Sequence, residues 1–97
     1  MNVRVQLYPP LNNAAGQRQV EFALDAGATV QVLIDKLVER FGDEIHRFLF
    51  DNQGRIIPGW CAFINQRQPV YFNRPAAMRT PLADGDEIGI LIALAGG

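Results

Sequence analysis

The chain has 97 residues, 48% of them hydrophobic and 20% charged, and its nine basic and ten acidic side chains leave a net charge of -1. That is one compact domain, residues 1–97, with the composition of a soluble globule; a chain this short buries only about two-thirds of its unfolded surface, which leaves no room for a deep pocket enclosing a substrate. Near-neutrality gives no electrostatic case for nucleic acid or an anionic membrane, and the single cysteine, Cys61, can make no internal disulfide and cannot alone hold zinc or an iron–sulfur cluster.

Val3 to Tyr8 alternates, with Val3, Val5 and Leu7 on one side and Arg4, Gln6 and Tyr8 on the other, the period of a half-buried strand. Pro9-Pro10 ends it, and a polar loop containing Asn12, Asn13 and Gly16 leads to a second alternation through Val20, Phe22 and Leu24. These two strands read as a hairpin. The period then changes: Val30, Leu33, Ile34, Leu37, Val38 and Phe41 recur at three and four residues and form the apolar stripe of a helix, with Thr29 placed as its N-cap and Gly42 just past its end.

Asp43 to Phe50 reads as a short helical turn that tucks Ile45, Phe48 and Leu49 under the sheet, followed by the Asp51-Asn52-Gln53-Gly54 turn and a short extension at Ile56 and Ile57. Trp60 to Ile64 is a strand, Asn65-Gln66-Arg67 a turn and Pro69 to Phe72 a short strand. Arg74 to Pro81 reads as irregular. Asp84-Gly85-Asp86 is a tight turn into a last strand, Ile88 to Ala93, with Ile88, Ile90 and Ile92 on the core face and Gly89, Leu91 and Ala93 on the other. The order predicts an α+β fold: a mixed sheet with one main helix packed across it. No run approaches the ~20 apolar residues of a membrane span, and strand pattern begins almost at Met1, so a cytoplasmic location without a signal peptide is expected.

Leu94-Ala95-Gly96-Gly97 follows the last strand, and four residues at full extension reach ~14 Å. Glycines without a Cβ fit a channel too narrow for any larger residue. Phe63-Ile64-Asn65, the segment Thr80-Pro81-Leu82-Ala83-Asp84-Gly85-Asp86-Glu87-Ile88 and the closing Ala95-Gly96-Gly97 together resemble the β-grasp sulfur carriers. These include the small subunit of molybdopterin synthase, the thiamin carrier and the carriers of cysteine or homocysteine synthesis, and ubiquitin-like modifiers are relatives. The resemblance covers the whole chain in element order.

It implies a β-grasp, ubiquitin-like roll in which Gly97 carries the function. An α-carboxylate, with a pKa of about 3.5, is ionised at neutral pH and a poor electrophile. In the family an ATP-dependent enzyme of the ubiquitin-activating type adenylates it, a sulfur donor replaces AMP, and the resulting thiocarboxylate delivers sulfur to an acceptor held by a biosynthetic enzyme. This implies a carrier, itself no enzyme, with no permanently bound cofactor and no metal. Its partners are the adenylating enzyme and the sulfur-accepting enzyme; neither nucleic acid nor membrane is among them. Leu94, Ala95 and Gly96 would thread the partner's channel, and Leu91 and Phe63 are candidates for the docking patch.

The ending Ala95-Gly96-Gly97 and the segment Ile45 to Tyr71 are closer to the cysteine-pathway carriers than to the Pro-Pro-Val-Ser-Gly-Gly ending of the molybdopterin type. A protein modifier attached through Gly97 uses the same adenylation step and is the competing reading. An electron-transfer β-grasp domain is excluded, because its cluster needs four cysteines. Cys61 reads as a small buried hydrophobe, and His46 as a surface residue. Asp84, Asp86 and Glu87 read as a turn, since a calcium loop needs further ligands. Arg55, Arg67, Arg74 and Arg79 fall in a stretch without acidic residues and read as solvated side chains.

Overall fold

The computed structural model describes residues 1–92. Strands β1 (Asn2–Leu7), β2 (Gln19–Ala23), β3 (Trp60–Ile64), β4 (Pro69–Tyr71) and β5 (Glu87–Ile92) form one sheet in the order β2-β1-β5-β3-β4. β5 runs parallel to β1, with Val5 opposite Ile88 and Leu7 opposite Ile90, and antiparallel to β3, with Ala62 opposite Ile90 and Trp60 opposite Ile92. The β1–β2 and β3–β4 pairs are antiparallel, as hairpins require. The last strand in sequence is therefore the central strand in space.

The main helix, α2 (Val30–Phe41), lies across one face of this sheet and buries Val30, Leu33, Ile34 and Leu37. They join Val3, Val5, Leu7, Ile88, Ile90, Trp60 and Ala62 in a single core, so the alternation read from the sequence places the strands' apolar sides correctly. The Thr29 hydroxyl accepts the Val32 N–H at 3.5 Å, and Gly42 leaves the helix at φ 70. This is the predicted mixed α+β sheet with one main helix packed across it.

Three local expectations change. The stretch read as a polar loop contains a short helix, α1 (Leu11–Ala15), because Leu11 is fully buried and pins one turn to the core before Gly16 stops it at φ 72. The segment read as irregular contains α4 (Pro75–Met78), with Pro75 supplying a helix-compatible φ at the first turn. α3 (Asp43–Leu49) forms and buries Ile45 and Leu49, but Phe48 does not tuck under the sheet: it is 37% exposed. Ile45 and Leu49 are four apart and share the inward face, which turns Phe48 aside. Ala93 and the tail Leu94-Ala95-Gly96-Gly97 lie outside the described residues.

Candidate functional site

The site is built around β5. At its start, Asp84-Gly85-Asp86 is clamped to β1: the Asn2 N–H donates to Asp84 Oδ1 at 2.7 Å, Gly85 N–H donates to the Asn2 carbonyl at 2.8 Å, and Arg4 N–H donates to the Asp86 carbonyl at 2.9 Å. Gly85 adopts φ 84, a left-handed conformation that glycine takes without a Cβ clash. The Asp86 side chain, 9% exposed, accepts from Asn65 Nδ2 at 2.8 Å and from the Ala83 N–H at 2.7 Å. Asn65 in turn accepts the Glu87 N–H on its Oδ1 at 2.9 Å and donates its own N–H to the Glu87 carbonyl at 2.7 Å. Asn65 and Gln66 both have positive φ, 53 and 62, as a tight hairpin turn demands. The two separate motifs, Phe63-Ile64-Asn65 and Ala83 to Ile88, are thus one hydrogen-bonded knot that sets where β5 begins.

At the other end, Trp60 is the register partner of Ile92, and its indole Nε1 donates to the Phe48 carbonyl at 2.8 Å, tying α3 to the strand beside the end of β5. Tyr8 N–H donates to the Ile90 carbonyl at 3.3 Å on the opposite flank.

The face of the sheet turned away from α2 carries Leu91, Gly89 and Phe63, with Leu91 opposite Cys61 and Gly89 opposite Phe63. Leu91 and Phe63 are both half-buried. Together with Tyr8 they line an open depression of about 480 Å³, completed by Gln6, Gln66, Glu87 and the edge of Ile88. Tyr8, missed as a site residue by sequence reasoning, is 49% exposed, and its ring lies over Gly89: a Cβ there would meet Tyr8 Cε2 at 3.2 Å. Strand parity already placed Tyr8 on this face; what it packs over depends on β1 and β5 being neighbours, which no local pattern reveals.

Cys61 is fully buried between its register partners Leu91 and Tyr71, and loss of solvation pushes its thiol pKa up, so at neutral pH it is a thiol and a weak nucleophile. His46 is exposed and stacks on Phe50 with ring centroids 4.7 Å apart. All four arginines of the acid-free stretch are exposed: Arg55 and Arg67 lie in separate turns, and Arg74 and Arg79 flank α4. Both Asp86 oxygens and one of Asp84 are committed to the protein's own N–H groups, consistent with a turn. Among the described residues no group of three or more His, Cys, Asp or Glu side chains is placed to hold a metal ion, and no helix is long and apolar enough to cross a membrane.

The ThiS family model matches residues 5–97, nearly the whole chain. The chain belongs to the ThiS family. Members of this family are small ubiquitin-like carrier proteins, not enzymes. The fold of this ThiS-family chain is similar to that of SAMP1 from Haloferax volcanii, at 25% identity over 100% of both chains and a TM-score of 0.79. A putative molybdopterin converting factor subunit 1 from Pyrococcus furiosus shares the fold at 22% identity, over 97% of this chain and 99% of that one, with a TM-score of 0.73. Mycobacterium tuberculosis CysO does so at 22% identity, over 95% and 99% of the two chains, with a TM-score of 0.68. No curated protein matches the chain significantly in sequence.

Proposed function

We propose that this ThiS-family chain is a sulfur carrier whose Gly97 carboxylate is adenylated by a ubiquitin-activating-type enzyme and then converted to a thiocarboxylate. The carboxylate oxygen attacks the α-phosphorus of ATP and pyrophosphate leaves; a hydrosulfide equivalent attacks the acyl carbon and AMP leaves. The thiocarboxylate sulfur, soft and nucleophilic, is then delivered to an acceptor in a biosynthetic enzyme. The closing Ala95-Gly96-Gly97 favours amino-acid or similar metabolite synthesis as the destination, with molybdopterin second.

The observation that carries this reading is the position of β5. It is the central strand, bonded on both sides, and in sequence Ile92 is followed by Ala93 and then Leu94-Ala95-Gly96-Gly97. A rigid root and a thin terminus suit a chain that is inserted into another protein's active site, with Leu94, Ala95 and Gly96 in the channel and Leu91 and Phe63 docking beside it. Intact-mass spectrometry after incubation with the adenylating enzyme, ATP and a sulfide source tests it: a gain of ~16 Da, oxygen replaced by sulfur, is expected. A mass that stays at the carboxylate value with an enzyme shown to be active would end the proposal.

The likeness to the Haloferax volcanii small archaeal modifier protein 1 favours a second reading, a modifier conjugated through Gly97 to target lysines. Lys36 is the chain's only lysine, so linkage of one copy to another would run through it or through the amino terminus. Adducts on other proteins that survive reducing denaturation would support this reading; thioesters and thiocarboxylates would not survive as such adducts.

A further inference from the structure

Two large hydrophobic side chains, Tyr8 and Phe48, stand out as exposed among the described residues, at 49% and 37%. The backbones of both lie at the end of the sheet where β5 finishes, on opposite faces of it, and the Tyr8 ring turns back from there over Gly89. Tyr8 follows Leu7, the register partner of Ile90, and lines the open face. Phe48 lies on the α2 side, its carbonyl held by the indole of Trp60, the residue opposite Ile92. Two aromatics left partly exposed at one end of a small domain keep apolar surface that folding has not buried, and aromatic side chains are enriched at the centres of protein interfaces.

We propose that Tyr8 and Phe48 form a clasp by which the adenylating enzyme grips the end of the sheet from both sides, so that docking is end-on and not confined to the open face. This rests on the carrier reading above. The size of an interface supports it: about 800 Å² per partner corresponds to a disc of radius ~16 Å. Residues 93–97 span at most ~17 Å beyond Ile92, so an enzyme that receives Gly97 must approach Ile92 that closely. A disc of that size centred on Ile92 takes in Tyr8, one strand away, and Phe48, one indole beyond the strand on the other flank. Leu91 lies between them, continuous with the same surface. A second copy of the chain is a weaker occupant, because it would have to cover the point from which the tail is delivered.

The test measures ATP–pyrophosphate exchange by a purified adenylating enzyme of this type at varied carrier concentration. Phe48→Ala and Tyr8→Ala are each expected to raise KM about tenfold with kcat unchanged, since both remove binding common to ground and transition states. Phe48→Tyr should restore the wild-type KM, and Gln68→Ala, in the exposed β3–β4 turn at the other end of β5, should stay within twofold. The Phe48 side chain is exposed and its anchoring bond uses the backbone carbonyl, so folding survives the substitution, which a thermal melt verifies. A Phe48→Ala carrier with wild-type KM overturns the clasp while leaving the carrier reading intact. A wild-type chain that supports no exchange with an enzyme active on another carrier removes both.

Discussion

Replacing Asp86 tests whether the knot at the start of β5 holds the fold. Asp86→Ala removes an acceptor of two hydrogen bonds, from Asn65 Nδ2 at 2.8 Å and Ala83 N–H at 2.7 Å, at a site 9% exposed. Bonds to a carboxylate contribute about 1.5–3 kcal/mol each. Asn65 is exposed and finds water again, so the lower figure applies and the total is about 3 kcal/mol. In a domain of this size that lowers Tm by about 12–24 °C and takes a large share of a stability of about 5–15 kcal/mol. Asp86→Asn keeps one acceptor and loses the other, so it should cost about half as much. Urea titration with an unchanged m-value is the assay. Asn65→Gly removes the side chain while keeping the positive φ tolerable, so the pair closes a double-mutant cycle, with a coupling of about 1–2 kcal/mol expected. A loss below about 1 kcal/mol for Asp86→Ala, or simple additivity in the cycle, would refute the claim that the two motifs act as one unit.

Gly89→Ala should push the Tyr8 ring off the strand, because the new Cβ would stand 3.2 Å from Cε2 of a half-exposed side chain that is free to swing. Stability should change by less than about 1 kcal/mol, and the nuclear Overhauser contacts between the Tyr8 ring and residue 89 should weaken; their retention would contradict the packing described. Cys61 should resist alkylation in the native protein at pH 8 and react at once in denaturant, since burial raises its thiol pKa; rapid native labelling would show the strand is open there. Asp51 accepts the Gln53 and Arg55 N–H groups at 2.8 and 2.9 Å, and these bonds, Arg55 first, hold its carboxyl below the usual carboxylate range. Its depressed pKa means the turn is stabilised above the unfolded carboxylate pKa and loses that support as pH falls through the folded one; the Gln53 and Arg55 amide shifts should report a midpoint below that of an unperturbed aspartate.

Period carried most of the fold. Alternation in β1, β2 and β5 and the three-and-four spacing in α2 describe large, cooperative choices of face, and one wrong residue cannot reverse them. What period could not carry was short. α1 is a single turn in a run of small polar residues, held by the burial of Leu11, a tertiary fact absent from the local pattern. Phe48 looked like core because it is large and apolar, but α3 has only enough inward face for Ile45 and Leu49. The same limit hid Tyr8: its side of β1 was legible, whereas its seat on Gly89 depends on a parallel pairing between the first and last strands.

That pairing also explains why a core strand can serve as the root of a functional tail. Ile88 and Ile90 are fully buried and commit β5 to α2, while Gly89 and Leu91, one residue out of phase, belong to the open face. A one-residue slip of β5 would exchange these sets and bury Leu91 at the cost of exposing isoleucines, so register and docking surface are one property. The knot of Asn65 and Asp86 reinforces that register at the far end of the strand, six residues from Ile92, while the buried isoleucines hold it. A substitution there should therefore lower stability without moving Leu91 to the other face, because every partly formed alternative exposes an isoleucine at about 1.5–3 kcal/mol.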